Sequence, residues 1–261
     1  MFRACTFDEI EEILARNPIQ YFDEREELED LADDKTSAFY RSEDCLVVTS
    51  PRRLRMEILA MPLKPEFNLA ALEQFAHKKA ANFRMHLNVT GIEVGKLRFT
   101  EPYDISDPIT SLWGDQPKAP APGTVLPEGK IRTLTSADSR HIMNFPQEAA
   151  GRAMNLKQIF PLLVVDEIGS ILGFFNRDGA MLGYISYMPS AFDSLTIDEV
   201  CVLPPFRLQG IGSMLAREVL ATAARSGNSA YWPVADSVAA IETAEAAGFH
   251  KVGSRITIET L

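Results

Sequence analysis

The chain of 261 residues is poor in cysteine, histidine and tryptophan, with three, four and two of each. Cys5, Cys45 and Cys201 are far apart, odd in number and without a CxxC pair. That spacing excludes a disulfide framework and fits free thiols in a reducing compartment. His77, His86, His141 and His250 stand singly, so no metal pair is written into the chain and no metal is expected. No apolar run approaches the roughly 20 residues of a membrane span. Met1-Phe2-Arg3-Ala4-Cys5 leads into acidic residues without the apolar core of a signal peptide. A cytoplasmic protein without membrane contact is predicted. Positive charge is scarce as well: 26 Lys and Arg stand against 36 Asp and Glu, a formal net charge of -10. Nucleic acid would require a basic footprint, so it is not an expected partner. Much of the acidity lies between Asp23 and Asp34, read as a solvated helix face or loop.

What is present is a globular composition, 46% hydrophobic and 24% charged, with length for one large domain or two. Asp115-Gln116-Pro117-Lys118-Ala119-Pro120-Ala121-Pro122-Gly123 alternates alanine and proline, the recipe for a stiff, extended linker. The predicted organisation is an α/β region over 1–114, a linker over 115–129 and a second domain over 130–261. In the first region, Thr6 caps a helix over Phe7 to Ala15, and Leu69 to Phe83 carries the clearest helical stripe. Strands are predicted over Ala38–Arg41, Cys45–Thr49, Leu54–Met61, Met85–Val89 and Leu97–Phe99. In the second, Ile131–Leu134 reads as a strand, Thr135 or Ser136 starts a helix, and further helix is predicted from Ala149 to Phe160. Asn176-Arg177-Asp178-Gly179 joins two apolar strands as a hairpin. Ala230–Val234, a helix over Val238–Ala246 stopped by Gly248, and a last strand over Lys251–Ile258 follow.

One stretch carries chemistry. Ile197 to Val202 reads as a strand; a turn with Pro204, Arg207, Gly210 and Gly212 follows, and a helix opens at Ser213. Glycines let a backbone come close to a ligand, and the first N–H groups of a helix have no partners of their own. A strand feeding such a turn is built to hold a phosphate, and Arg207 adds positive charge at its mouth.

The order Val-x-Pro-x-x-Arg-x-x-Gly-x-Gly, from Val202 to Gly212, resembles the pyrophosphate-binding motif of the GNAT superfamily of N-acetyltransferases. The order of elements in the C-terminal half is also that of the family. The resemblance implies a GNAT fold, a mixed and mostly antiparallel sheet flanked by helices. It implies acetyl-CoA as acyl donor and an amine on a small molecule or protein as acceptor. Val200, Cys201 and Val202 would then pair with the pantetheine arm, and the turn from Arg207 through Leu208, Gln209, Gly210, Ile211 and Gly212 to Ser213 would receive the diphosphate. The start of the last helix is similar to the protein N-terminal and ribosomal-protein acetyltransferases, which place a polar residue where Ser237 stands. Many family members carry a tyrosine four residues before the Gly-Phe pair; here that position is Ala244. The first half is either a degenerate GNAT-like repeat, since no Arg-x-x-Gly-x-Gly follows Leu54–Met61, or an unrelated α/β cap.

Acyl transfer to an amine also needs a base and a proton source. Asp198 and Glu199 are adjacent, so alternation puts them on opposite faces of the strand. Ile197 and Cys201 look like its core face, which would leave Asp198 the more exposed, whereas a bulge would reverse the parity. Both stay candidates, and Glu199 has the longer reach. Ser237, Tyr231 or solvent would protonate the leaving thiolate. Cys201 is read as a small buried hydrophobe and Trp232 as core. Acceptor selection is expected from loops over Phe145–Phe160 and Pro189–Ser194, and a monomer and a homodimer both remain open. The alternative function is a catalytically silent acyl-CoA sensor or scaffold.

Overall fold

A computed structural model describes residues 1–261 except 18, 65, 91–96, 98, 100, 101, 147–155, 191, 236 and 261. The chain forms two compact units, Met1–Ser111 with Val252–Leu261, and Leu112–Lys251. The expected linker over 115–129 therefore lies within the second unit, and the last strand of the chain belongs mostly to the first.

The first unit runs β1 (Arg3–Cys5), α1 (Phe7–Leu14), α2 (Phe22–Asp33), β2 (Ala38–Arg41), β3 (Cys45–Pro51), β4 (Arg55–Pro62), α3 (Leu69–Lys79), β5 (Arg84–Thr90) and β6 (Tyr103–Ile105). Thr6 and Glu9 close a capping box on α1. The acidic run is helix α2, which buries Phe22, Leu28 and Leu31. Strands β1 to β4 are antiparallel, β4 and β5 are parallel, and β5 is antiparallel to the C-terminal strand Arg255–Glu259. Leu97 and Phe99 lie in no strand, and residue 98 falls outside the described residues.

The second unit contains the end of β7 (Ile109–Gly114), then β8 (Lys130–Thr133), α4 (Ser139–Asn144), α5 (Leu156–Phe160), β9 (Ser170–Phe175), β10 (Met181–Ser190), β11 (Ser194–Val202), α6 (Ile211–Arg225), β12 (Ser229–Ala235) and α7 (Val238–Ala247). Strand β13 (His250–Thr260) ends the chain. Much of the predicted helix over Ala149–Phe160 falls outside the described residues, and α5 is its end. Strand order here is β7-β12-β11-β10-β9-β8, with β8 to β11 antiparallel and β11 parallel to β12. The hairpin turn closes as predicted, Gly179 taking φ +79° and Asn176 Oδ1 accepting from the Ala180 amide at 2.9 Å. Helix α6 buries Ile211, Leu215, Ala216, Val219, Leu220 and Ala223 along one stripe against the sheet. Each such Leu, Ile or Val contributes roughly 1.5–3 kcal/mol.

Both units thus follow one order: strand, two helices, three antiparallel strands, helix, and a strand parallel to the one before that helix. The first half repeats the element order and pairing of the second, which fits the GNAT-like repeat better than an unrelated α/β cap. The first unit has no glycine between β4 and α3. Its crossover helix α3 starts under a cap, Asn68 Oδ1 accepting from the Ala71 amide at 2.9 Å. Its parallel pair runs unbroken from Arg55/Arg84 to Ala60/Val89, and Ile58, Ala60, Leu87 and Val89 fill it with apolar side chains.

Candidate active site

In the second unit the parallel pair does not stay closed. Strand β11 pairs with β12 at Ser194/Ser229, Leu195/Ala230 and Thr196/Tyr231, and among the described residues no pair follows. The strands part just where β11 slips against its other neighbour. Ser186 lies opposite Glu199 and Tyr187 opposite Ile197, so Asp198 is the extra residue of a β-bulge. The bulge breaks the alternation assumed from sequence. Ile197 packs in the core under α6, whereas Cys201 packs in the core under α4 and α5. The two do not share a face, which corrects that expectation.

The parted strands open a cleft of about 570 Å³. Val200, Cys201, Val202, Arg207, Leu208, Gly210, Ile211, Gly212, Ser213 and Ser237 line it. Trp232 is buried in the core as expected, and it also reaches the cleft wall. Gln209 does not line it; its side-chain amide donates to the Pro205 carbonyl at 3.2 Å. Helix α6 begins at Gly210, φ +85°, with no side-chain cap and no acidic residue in its first turn. Leu208 also has a positive φ, 61°, which is strained for a residue with a side chain, and that side chain is fully exposed. The amides from Leu208 to Ser213 meet no acceptor among the described residues. A row of such donors at a helix start favours an anion. Arg207 donates from Nε to the Val202 carbonyl at 3.0 Å, which ties the exposed guanidinium stem to the end of β11. A Cβ on Gly212 would lie 3.0 Å from Thr243 Cγ2, so the start of α6 sits tightly against α7.

The two carboxylates at the bulge are in contrasting surroundings, and neither lines that cleft. Asp198 is exposed and accepts from Ser186 Oγ at 3.3 Å. Glu199 is 5% exposed, and the buried Tyr184 hydroxyl donates to its Oε2 at 2.6 Å. Its Oε1 is buried with no hydrogen-bond partner among the described residues. Burial pushes the Glu199 carboxyl up; the Tyr184 bond pulls it back in part and the Asp198 charge adds to the rise. The Tyr184 phenol is raised far above its ordinary value by burial and by the neighbouring carboxylate. Burial pushes the Cys201 thiol up to about 11, which fits a protonated hydrophobe and not a nucleophile.

Residues 139–249 match the model of the acetyltransferase (GNAT) family. This segment is a GNAT acetyltransferase domain. Among solved structures, the chain is similar to a GCN5-related N-acetyltransferase from Sphaerobacter thermophilus, with 17% identity, TM-score 0.59, and coverage of 100% of this chain and 95% of that one. A GNAT-family acetyltransferase from Colwellia psychrerythraea matches at 13% identity and TM-score 0.56, covering 100% of both chains. A Drosophila protein matches at 14% identity and TM-score 0.53, over 100% of this chain and 98% of that one. At these identities the likeness concerns the fold, and it extends over both units. No curated protein matches.

Within the GNAT domain, Ser237 stands at the N-cap of α7, yet its hydroxyl makes no capping bond and faces the cleft. Ala244 is fully buried under α6. Tyr231 is 1% exposed at the last paired position of β12 and does not line the cleft, so its placement does not meet the condition set for a proton donor. Among the described residues no group of His, Cys, Asp and Glu could hold a metal. Sequence reasoning missed Tyr184 and Ser186. Their period-2 spacing puts them on one face of β10, but nothing in the sequence states the register that brings that face to Glu199.

Proposed function

We propose that the chain is an acetyl-CoA-dependent N-acetyltransferase that acetylates a primary amine of a small molecule or protein. The uncapped glycine turn at the head of the parted strands carries this reading, because the same turn in the first unit is capped and its strands are closed. The amides from Leu208 to Ser213 would hold the diphosphate, with Arg207 at the rim, and the exposed edge of Val200–Val202 would pair with the pantetheine arm. The amine nitrogen attacks the thioester carbon, the C–S bond breaks, and the amine's proton leaves to a base. Glu199 suits that task better than Asp198: its burial raises its proton affinity, and Oε1 has an open acceptor position. Asp198 is engaged by Ser186 at the bulge. The thiolate takes its proton from Ser237 or solvent. The Ser237 hydroxyl, which makes no capping bond and lies at the cleft, supports the likeness to the N-terminal and ribosomal-protein acetyltransferases.

Titration calorimetry with acetyl-CoA, combined with thiol release over a panel of small amines and peptide N-termini, tests the proposal. Binding with turnover of at least one amine is expected. Binding with no turnover on any of them would instead make the protein a silent acyl-CoA-binding module.

A further inference from the structure

Tyr184 and Glu199 meet through register. Tyr184 pairs with Cys201 and Ser186 pairs with Glu199, so the Tyr184 phenol reaches diagonally along one face to the carboxylate. Both side chains are nearly sealed from solvent, Tyr184 at 0% and Glu199 at 5% exposed. The 2.6 Å bond occupies Oε2 and leaves Oε1 as a buried oxygen without a donor among the described residues. A buried polar atom in that state is costly unless something else meets it. The Glu199 amide is itself held by Ser186 Oγ at 3.1 Å, which fixes the backbone from which the side chain reaches Tyr184. Phe145 stacks edge-on against the Tyr184 ring at 5.2 Å and fixes its plane.

We propose that Tyr184 is the positioning residue of the acceptor site, clamping one oxygen of Glu199 so that the other alone receives the N–H of the acceptor amine or of its bridging water. The inference rests on the transferase reading of the same site. In the step it serves, the proton leaves the amine for Oε1 as the N–C bond forms, while the Tyr184 proton stays on its own oxygen. Among the described residues, the titratable groups acting around Glu199 are Tyr184, Asp198 and Cys201. The packed layer on this face, Ile142, Phe145, Leu156, Ile159 and Phe160, is apolar. Tyr184 stabilises the charged form of Glu199, so its removal raises the proton affinity of the base further.

Tyr184→Phe is the test, read by the pH profile of kcat/KM with calorimetry on acetyl-CoA beside it. The acid limb is expected to move to higher pH and kcat to fall ~10-fold, with acetyl-CoA affinity unchanged. In a Glu199→Gln background Tyr184→Phe should add no further loss, because a positioning residue acts only through the group it holds. An unmoved acid limb, or a loss that simply adds to that of Glu199→Gln, overturns the role. If Tyr184→Phe does not fold, 3-fluorotyrosine at position 184 is a stronger donor and should move the limb to lower pH; no movement again overturns it. A wild-type chain that binds acetyl-CoA but acetylates nothing overturns the transferase reading first, and the role of Tyr184 with it.

Discussion

At the residue scale, two glycines in the turn are required for different reasons. Gly210 has φ +85°, and the nearest atom to an added Cβ there is 3.4 Å away, so conformation and not space excludes other residues. Gly212 is limited by space, with Thr243 at 3.0 Å. Gly212→Val should therefore push α6 from α7 and lower acetyl-CoA affinity by about 10-fold or more, with far-UV circular dichroism unchanged; calorimetry checks it. A second residue prediction concerns Asp138. Arg132 binds its carboxylate with two bonds of 2.6 and 2.8 Å while lying over the Phe175 ring. The Arg132 bonds, then the Thr135 amide, hold Asp138 down from 3.8 to about 2. A depressed carboxyl contributes stability that is present above its unfolded value and lost as pH falls through its folded one. Urea midpoints should thus fall between about pH 4 and pH 2 in the wild type. Asp138→Asn should flatten that fall and cost about 1–2 kcal/mol at neutral pH, a figure discounted for the half-exposed guanidinium.

At the element scale, the decisive object is the bulge in β11. It turns Glu199 and Cys201 toward the α4–α5 layer while Ile197 stays under α6, and it coincides with the parting from β12. Ser186 holds it from both sides, accepting from the Glu199 amide at 3.1 Å and donating to Asp198 at 3.3 Å. Ser186→Ala leaves a buried amide without its acceptor and should destabilise the domain by about 1–3 kcal/mol. Hydrogen exchange at the Glu199 amide should accelerate more than at Ile197, and equal rates of change at both would refute the clamp. The hairpin and the start of α6 were legible in the sequence because local chemistry dictates them: Asn-x-Asp-Gly for the one, Gly-x-Gly for the other. The bulge was legible as an option and not as a position, because an extra residue changes pairing without changing composition.

At the scale of the whole molecule, chain order and unit membership diverge. Strand β13 follows α7 in sequence, yet Arg255–Glu259 pairs with His86–Thr90 in the first unit. The stretch expected as a spacer is docked onto the second. Lys118 donates its amide to the Ala247 carbonyl at 2.7 Å and accepts from Arg217 Nε at 2.6 Å, and Asp115 accepts from Trp113 and Ser229. A fragment beginning at residue 130 would lose those contacts together with the fully buried Leu112. It should be largely unfolded or aggregated by circular dichroism and gel filtration while the full chain is a soluble, folded species. A chain ended at Lys251 should likewise expose the β5 edge and lose solubility. A well-folded 130–261 fragment would contradict this account.

The sequence by itself determined the turn at the head of α6, because a glycine turn opening a helix is a local object of backbone conformation and amide donors. It determined the order of elements in the second half, through periodicity and turn residues. Tertiary structure alone decided which carboxylate is buried, what holds it, and where the last strand goes. Each of those depends on register and on the pairing of segments far apart in the chain, and no local propensity encodes them.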